Sequence, residues 1–410
     1  MYKYQIKKYY FQLIVSISIV IASLLTYNFT VTFDSYLYLN SAEHIFSKNF
    51  ILEYQWLREP GYPLILKLIA IFYQTDFIYV IIQSAMLSIS FFLYYNIFFG
   101  NVALSKLSKF LIIFIVLNPY YITWASTVLQ VAPITLCLAM ITYMINKNYE
   151  YIASKDIIYW IAINLFCLSI AFNIGAISII CNLIVFIKHS ISRKILLKEI
   201  AIVSSIFLIT ALAWLSYKEK VLSETKGIQS GWNADYFSSA NQLLLPIELN
   251  SLTKVLEHST ILTGLSNLGN RESESSGYVN LIYGASETCA IWYPTEFTYV
   301  ATKIQESIQT TCSSKVINQI FSRFNFTGGI LWQISSALVW LSFVWVFMYF
   351  KKKEAYIIIP SFLLLASYST LIFTIDRYIL PIYLVGLFMF IRILDYIIKR
   401  IELIFKMKYW

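Results

Sequence analysis

The chain has 410 residues, of which 59% are hydrophobic and only 13% charged, with a formal net charge of +9. A soluble domain carries about 25% charged residues, and one soluble core cannot hide this much apolar surface. The positive balance has a simpler source than a nucleic-acid partner, because Lys and Arg collect in the short cytoplasmic loops of membrane proteins.

The apolar residues fall in runs of about twenty, the length of a helix that crosses ~30 Å of hydrocarbon. The alternating ten-residue pattern of a membrane β-barrel is absent. The expected fold is therefore an all-α polytopic membrane protein with about ten spans, at 11–30, 77–99, 109–124, 126–145, 157–171, 174–188, 196–216, 329–350, 355–374 and 379–398. The first run follows Lys3, Lys7 and Lys8 with no small-residue cleavage site after it, and reads as a retained signal anchor.

With the N-terminus inside, the inner segments hold eighteen Lys and Arg and the short outer ones hold three, Lys48, Arg58 and Arg377. That bias fixes the expected orientation, with both termini cytoplasmic. The segment "GYPLILKLIAIFY" is apolar but short and contains Lys67. Counting it as a span would turn every later basic loop outward. It is expected to be a re-entrant or interfacial helix, one of a pair within the first outer loop, 31–76. Three regions follow: an N-terminal transmembrane part, 1–216; a small extracytoplasmic domain, 217–328, with helix expected around 296–322; and a C-terminal three-helix part, 329–410. Cys289 and Cys312 lie in that outer domain, where a disulfide is open to them. Cys137, Cys167 and Cys181 fall inside spans and read as packing residues.

Three outer groups bear charge. "FDSYLYLNSAEHIF" begins with Asp34 at the end of the first span and contains His44, and Tyr38, Ala42, Ile45 and Phe46 share one face of a helix. Asp34 can serve as the N-cap of that helix, or as a general base whose proton affinity rises at a membrane boundary. Arg58 and Glu59 precede Pro60-Gly61-Tyr62-Pro63, a rigid turn. There an Arg can grip a phosphate with its planar fork of donors, while Lys67 can snorkel to headgroups or assist. Asp376 and Arg377, followed by Tyr378, are expected in the short outer turn between the last two spans, as an ion pair or a site. The span middles read as nearly free of charge. No zinc spacing, Walker sequence or dinucleotide fingerprint is present.

"FDSYLYLNSAEHIF", "REPGYPLILKL" and Arg377-Tyr378-Ile379-Leu380-Pro381 together resemble the GT-C glycosyltransferases, in the branch of protein O-mannosyltransferases and aminoarabinose transferases. The likeness covers roughly the first hundred residues and the last forty. It implies a polyprenyl-phosphate-linked sugar donor and a glycan, lipid or protein acceptor on the outer face of a cell-envelope membrane. In that likeness Asp34 is the general base, and Arg58, Arg377 and Lys67 hold the donor phosphate. Glu59, Tyr62, His44 and Tyr378 support them. No cofactor is assigned, and a divalent metal is left open. Gln130 stands where many members have an acidic residue, and Asn173 where many have Arg. A Wzy-type polysaccharide polymerase using diphosphate-linked oligosaccharides remains an alternative reading, as does a lipid or glycan transporter or flippase.

Overall fold

In the computed structural model, the described residues are 2–25, 38, 41–42, 45–46, 59–72, 76–100, 102, 104–117, 122, 125, 130–190, 197–224, 352–371 and 376–408. Among them all regular structure is helical: α1 (Tyr2–Leu25), α2 (Gly61–Phe72), α3 (Asp76–Phe99), α4 (Lys106–Val116), α5 (Val131–Asn148), α6 (Ser154–Ile170), α7 (Phe172–Ser190), α8 (Leu197–Glu224), α9 (Lys352–Leu371) and α10 (Asp376–Lys408). Two stretches, Ile78–Phe99 and Phe172–His189, are long and apolar enough to cross a membrane. The outer domain was expected to begin at 217, but α8 continues to Glu224; the rest of that expected domain, 225–328, and the span expected at 329–350 lie outside the described residues.

Helices apolar on all sides pack through shape and a few polar contacts. α1 and α3 run antiparallel, held by Gln12 Nε2 donating to Asn96 Oδ1 (3.0 Å) and Ser88 Oγ donating to the Ser16 carbonyl (3.0 Å). α3 and α10 meet around Phe388, which packs on Phe91 (5.6 Å between centroids), Phe98 (6.1 Å) and Phe99 (5.6 Å). Tilted and edge contacts of this kind add roughly 1 kcal/mol each beyond the area they bury.

α6 and α7 form a hairpin about one residue. Ala171 is extended (φ −158°, ψ 135°), and its N–H still donates to the Cys167 carbonyl (3.0 Å). The chain then reverses, and Ser178 Oγ donates to Asn164 Oδ1 at 2.6 Å. A Cβ on Gly175 would lie 2.7 Å from Leu168 Cα. Only a residue without a side chain lets the two backbones approach so closely.

Charged side chains gather at one end of the bundle. Lys147 donates to Asp156, which also accepts the Ala153 N–H (3.1 Å). The amide of Asn148 is satisfied with its nitrogen toward Asp156 Oδ2 (2.9 Å) and its oxygen toward Trp160 Nε1 (2.9 Å). Lys188 Nζ donates to the Tyr149 carbonyl (2.6 Å), closing the C-terminus of α5. Arg392 pairs with Glu354 (3.3 Å) and Lys399 with Asp395 (2.6 Å).

Several expectations are revised here. Asp376 and Arg377 do not form a turn; they open α10. The last span was expected to stop at 398, but α10 continues to Lys408. Asp395, near the end of the expected span, is buried. α4 ends at Val116 rather than 124, and α5 begins at Val131 rather than 126. Phe46 is exposed and lies in a turn, so it does not share the buried face of Tyr38 and Ala42.

Asp395 ties α4 to α10. Its Oδ1 accepts the Ser105 N–H (2.8 Å) and the Ser108 hydroxyl (2.8 Å). Ser105 is the cap residue of α4, its Oγ accepting the Ser108 N–H at 3.1 Å. Asp395→Ala would remove a charged acceptor from three donors. The expected loss is about 2 kcal/mol, discounted for the half-exposed Lys399, and would be read as a lowered unfolding midpoint in detergent. Lys399→Gln should cost less, because the two serine donors remain.

Candidate functional site

The candidate site lies at the opposite end from the charged pairs and is built on the turn before α2. The Pro60 carbonyl accepts the Leu64 N–H (2.8 Å) and starts the helix. Pro63 follows in the first turn, where the missing N–H would have had no helical partner. At twelve residues α2 is about 18 Å long, too short to cross the hydrocarbon, as its sequence indicates. It packs on α6 and α3.

Gly61 sets the depth of the turn. A Cβ there would lie 2.7 Å from the Ser169 carbonyl carbon and 2.7 Å from its oxygen, both backbone atoms that no rotamer change can move. Tyr62 is fully buried. Its ring meets the edge of Tyr38 at 4.9 Å between centroids, and its hydroxyl shares a 2.6 Å hydrogen bond with Tyr79. Gln83 Nε2 reaches the same hydroxyl at 3.5 Å, and Gln83 Oε1 is buried with no partner. Burial, reinforced by Tyr79, holds the Tyr62 hydroxyl protonated well above the ordinary tyrosine range. It is therefore a hydrogen-bonding strut and has no proton to give near neutrality.

Glu59 is buried immediately before the cap residue of α2, where the helix dipole favours an anion. Among residues with described side chains it is the carboxylate at this end; Glu150, Asp156, Glu354 and Asp395 are at the other. Lys67 is partly buried, between the buried Leu66 and the exposed Leu68. That half-sunk position suits a long stem with its ammonium at a boundary.

Asp34, His44, Arg58, Cys289 and Cys312 lie outside the described residues. Arg377 and Tyr378 fall in the first turn of α10, and Pro381, four residues on, has no N–H for the Arg377 carbonyl. Among the described residues, no group of three or more His, Cys, Asp or Glu side chains stands together as a metal site. Tyr79 and Gln83, the partners of Tyr62, were not among the residues expected at the site. An amide set among apolar residues near the start of α3 was the signal that could have marked Gln83. No family model, curated protein or solved structure matches this chain.

Gly61→Ala should force α2 away from α6. Overpacking of this kind costs roughly 1–3 kcal/mol, to be seen as a lower melting temperature of the purified protein. Tyr62→Phe should cost about 1 kcal/mol, since the hydrogen bond to Tyr79 is lost while the ring contact with Tyr38 stays. A Gly61→Ala protein as stable as the parent would mean that the approach to Ser169 is not tight.

Proposed function

We propose that the protein is a membrane glycosyltransferase that moves a sugar from a polyprenyl-phosphate donor to an acceptor on the extracytoplasmic face. The observation that carries this reading is the Tyr38–Tyr62 ring contact. Tyr38 is four residues after Asp34 and Tyr62 four after Arg58. The contact joins the stretch bearing the candidate base to the turn bearing the candidate phosphate ligand. The collection of Lys and Arg at the other end of the bundle supports an orientation with that end cytoplasmic. The proposed topology has ten spans and both termini inside, with α2 as a non-spanning helix.

In the proposed reaction the donor's lipid tail stays in the bilayer and its phosphate at the boundary. Asp34 takes the proton of the acceptor hydroxyl as that oxygen attacks the anomeric carbon. The phosphate leaves from the opposite face as an anion, and Arg58 and Arg377 stabilise the charge that develops on it. The leaving group needs no proton, so one carboxylate suffices, and the single displacement inverts the anomeric centre. This differs from the paired carboxylates of glycosidases.

Purified protein offered a panel of polyprenyl-phosphate and polyprenyl-diphosphate sugars should transfer from the monophosphates. Asp34→Asn should abolish transfer while leaving the fold intact, since Asn is also a good cap. Arg58→Ala and Arg377→Ala should weaken donor use, and Lys at either position should restore it only in part because the planar fork is lost. Transfer near the parent level by Asp34→Asn would remove Asp34 as the base and make Glu59 the next carboxylate to replace. Transfer from diphosphates alone would favour the polymerase instead.

The topology is tested separately. Single cysteines at positions 65, 230 and 376 should be labelled by an impermeant reagent on intact cells, and one at position 106 should not. Labelling at 106 but not at 376 would invert the orientation.

A further inference from the structure

α10 is 33 residues long, about 50 Å, whereas the hydrocarbon layer is ~30 Å and takes about 20 residues. Its first part is held in the bundle, with Leu384, Val385, Leu387 and Phe388 buried. Beyond Asp395 the helix leaves that packing. Tyr396, Ile401, Leu403 and Ile404 are exposed by 59%, 48%, 58% and 57%. Ile397, Ile401 and Ile404 follow one another at spacings of four and three, which places them on one stripe. Along the same stretch the sequence sets Lys399, Arg400, Lys406 and Lys408 against a single carboxylate, Glu402. The Arg400 guanidinium lies 5.4 Å from the Tyr396 ring.

An apolar stripe of this kind needs a cover, and its charge decides which. Two copies inserted in one membrane share a direction, so their α10 extensions would meet in parallel. Pairing along Ile397, Ile401 and Ile404 would then bring like cations of the two copies together, which is destabilising. A layer of anionic lipid headgroups supplies both complements, phosphate for the cations and the acyl boundary for the isoleucines. The whole bilayer with its headgroups is about 40–45 Å thick, so a moderately tilted 50 Å helix ends within the inner headgroup layer.

We infer that residues 396–408 form a basic amphipathic extension that binds anionic phospholipid at the inner surface. The inference rests on the membrane-spanning reading, not on the transferase chemistry.

The test is hydrogen exchange on the full chain in nanodiscs of phosphatidylcholine alone or with about one third phosphatidylglycerol. Amides of 396–408 should exchange more slowly in the anionic discs. In an Arg400→Gln/Lys406→Gln variant the lipid-dependent difference should shrink about fivefold per cation, the factor that corresponds to ~1 kcal/mol. Lys399 is kept because it pairs with Asp395. Ile401→Ser should speed exchange in both disc types. Equal exchange in neutral and anionic discs would overturn the inference, as would protection that appears only when two copies share a disc. If alkaline carbonate releases the chain from membranes, the spanning reading falls and this inference with it.

Discussion

Helices that are apolar all round contain little in their hydrophobicity to distinguish one face from another. Rotation and register must then come from close packing and from the few buried polar groups that need partners. This constraint governs the bundle. Gly175 against Leu168 and Gly61 against Ser169 allow backbones to touch. Gln12 with Asn96, Ser178 with Asn164, and Asp395 with Ser105 and Ser108 each fix one pair of helices at one height. A slide of one residue along any of these helices would leave such groups unpaired in an environment that cannot replace the bond.

The two ends of the bundle solve the problem with different chemistry. At one end ion pairs and helix-closing cations dominate, among them Lys147 with Asp156, Arg392 with Glu354 and Lys188 on the Tyr149 carbonyl. At the other, a hydroxyl pair and an aromatic edge hold Tyr62 at the start of α2. The buried Gln83 Oε1 without a donor is an exception to complete satisfaction there.

Helix positions were legible in the sequence because a twenty-residue apolar run leaves few other solutions. The placement of α3, α6, α7 and α9 follows it within a few residues, whereas α1 starts nine residues before the expected span. The shortness of α2, twelve residues, was legible from the length of its apolar run. What the sequence did not reveal were relations between distant residues. Nothing near Gly61 announces Ser169, and nothing near Asp395 announces Ser105 and Ser108. The extension of α10 beyond 398 was hidden for a related reason: hydropathy marks where lipid ends, not where a helix ends. Of the candidate site, the turn and the burial of Tyr62 follow from Pro60-Gly61-Tyr62-Pro63, whereas Tyr79 and Gln83 come from a different helix.

The contrast between the ends bears on how the proposed transferase would work. A cation already paired with a carboxylate must give up that pair before it can hold a phosphate, and the exchange offsets much of what the new contact contributes. The cations Lys147, Arg392 and Lys399 are committed in this way. A phosphate site gains most where the scaffold is fixed by neutral contacts, so that its cations are not needed to hold the fold. The Tyr38–Tyr62–Tyr79 contacts meet that condition, because they anchor the turn after Arg58 without using an ionised group. The rigidity of the turn and the charge available beside it are then separable properties. Replacing an arginine there would alter chemistry with little effect on the fold, and replacing a tyrosine would do the reverse.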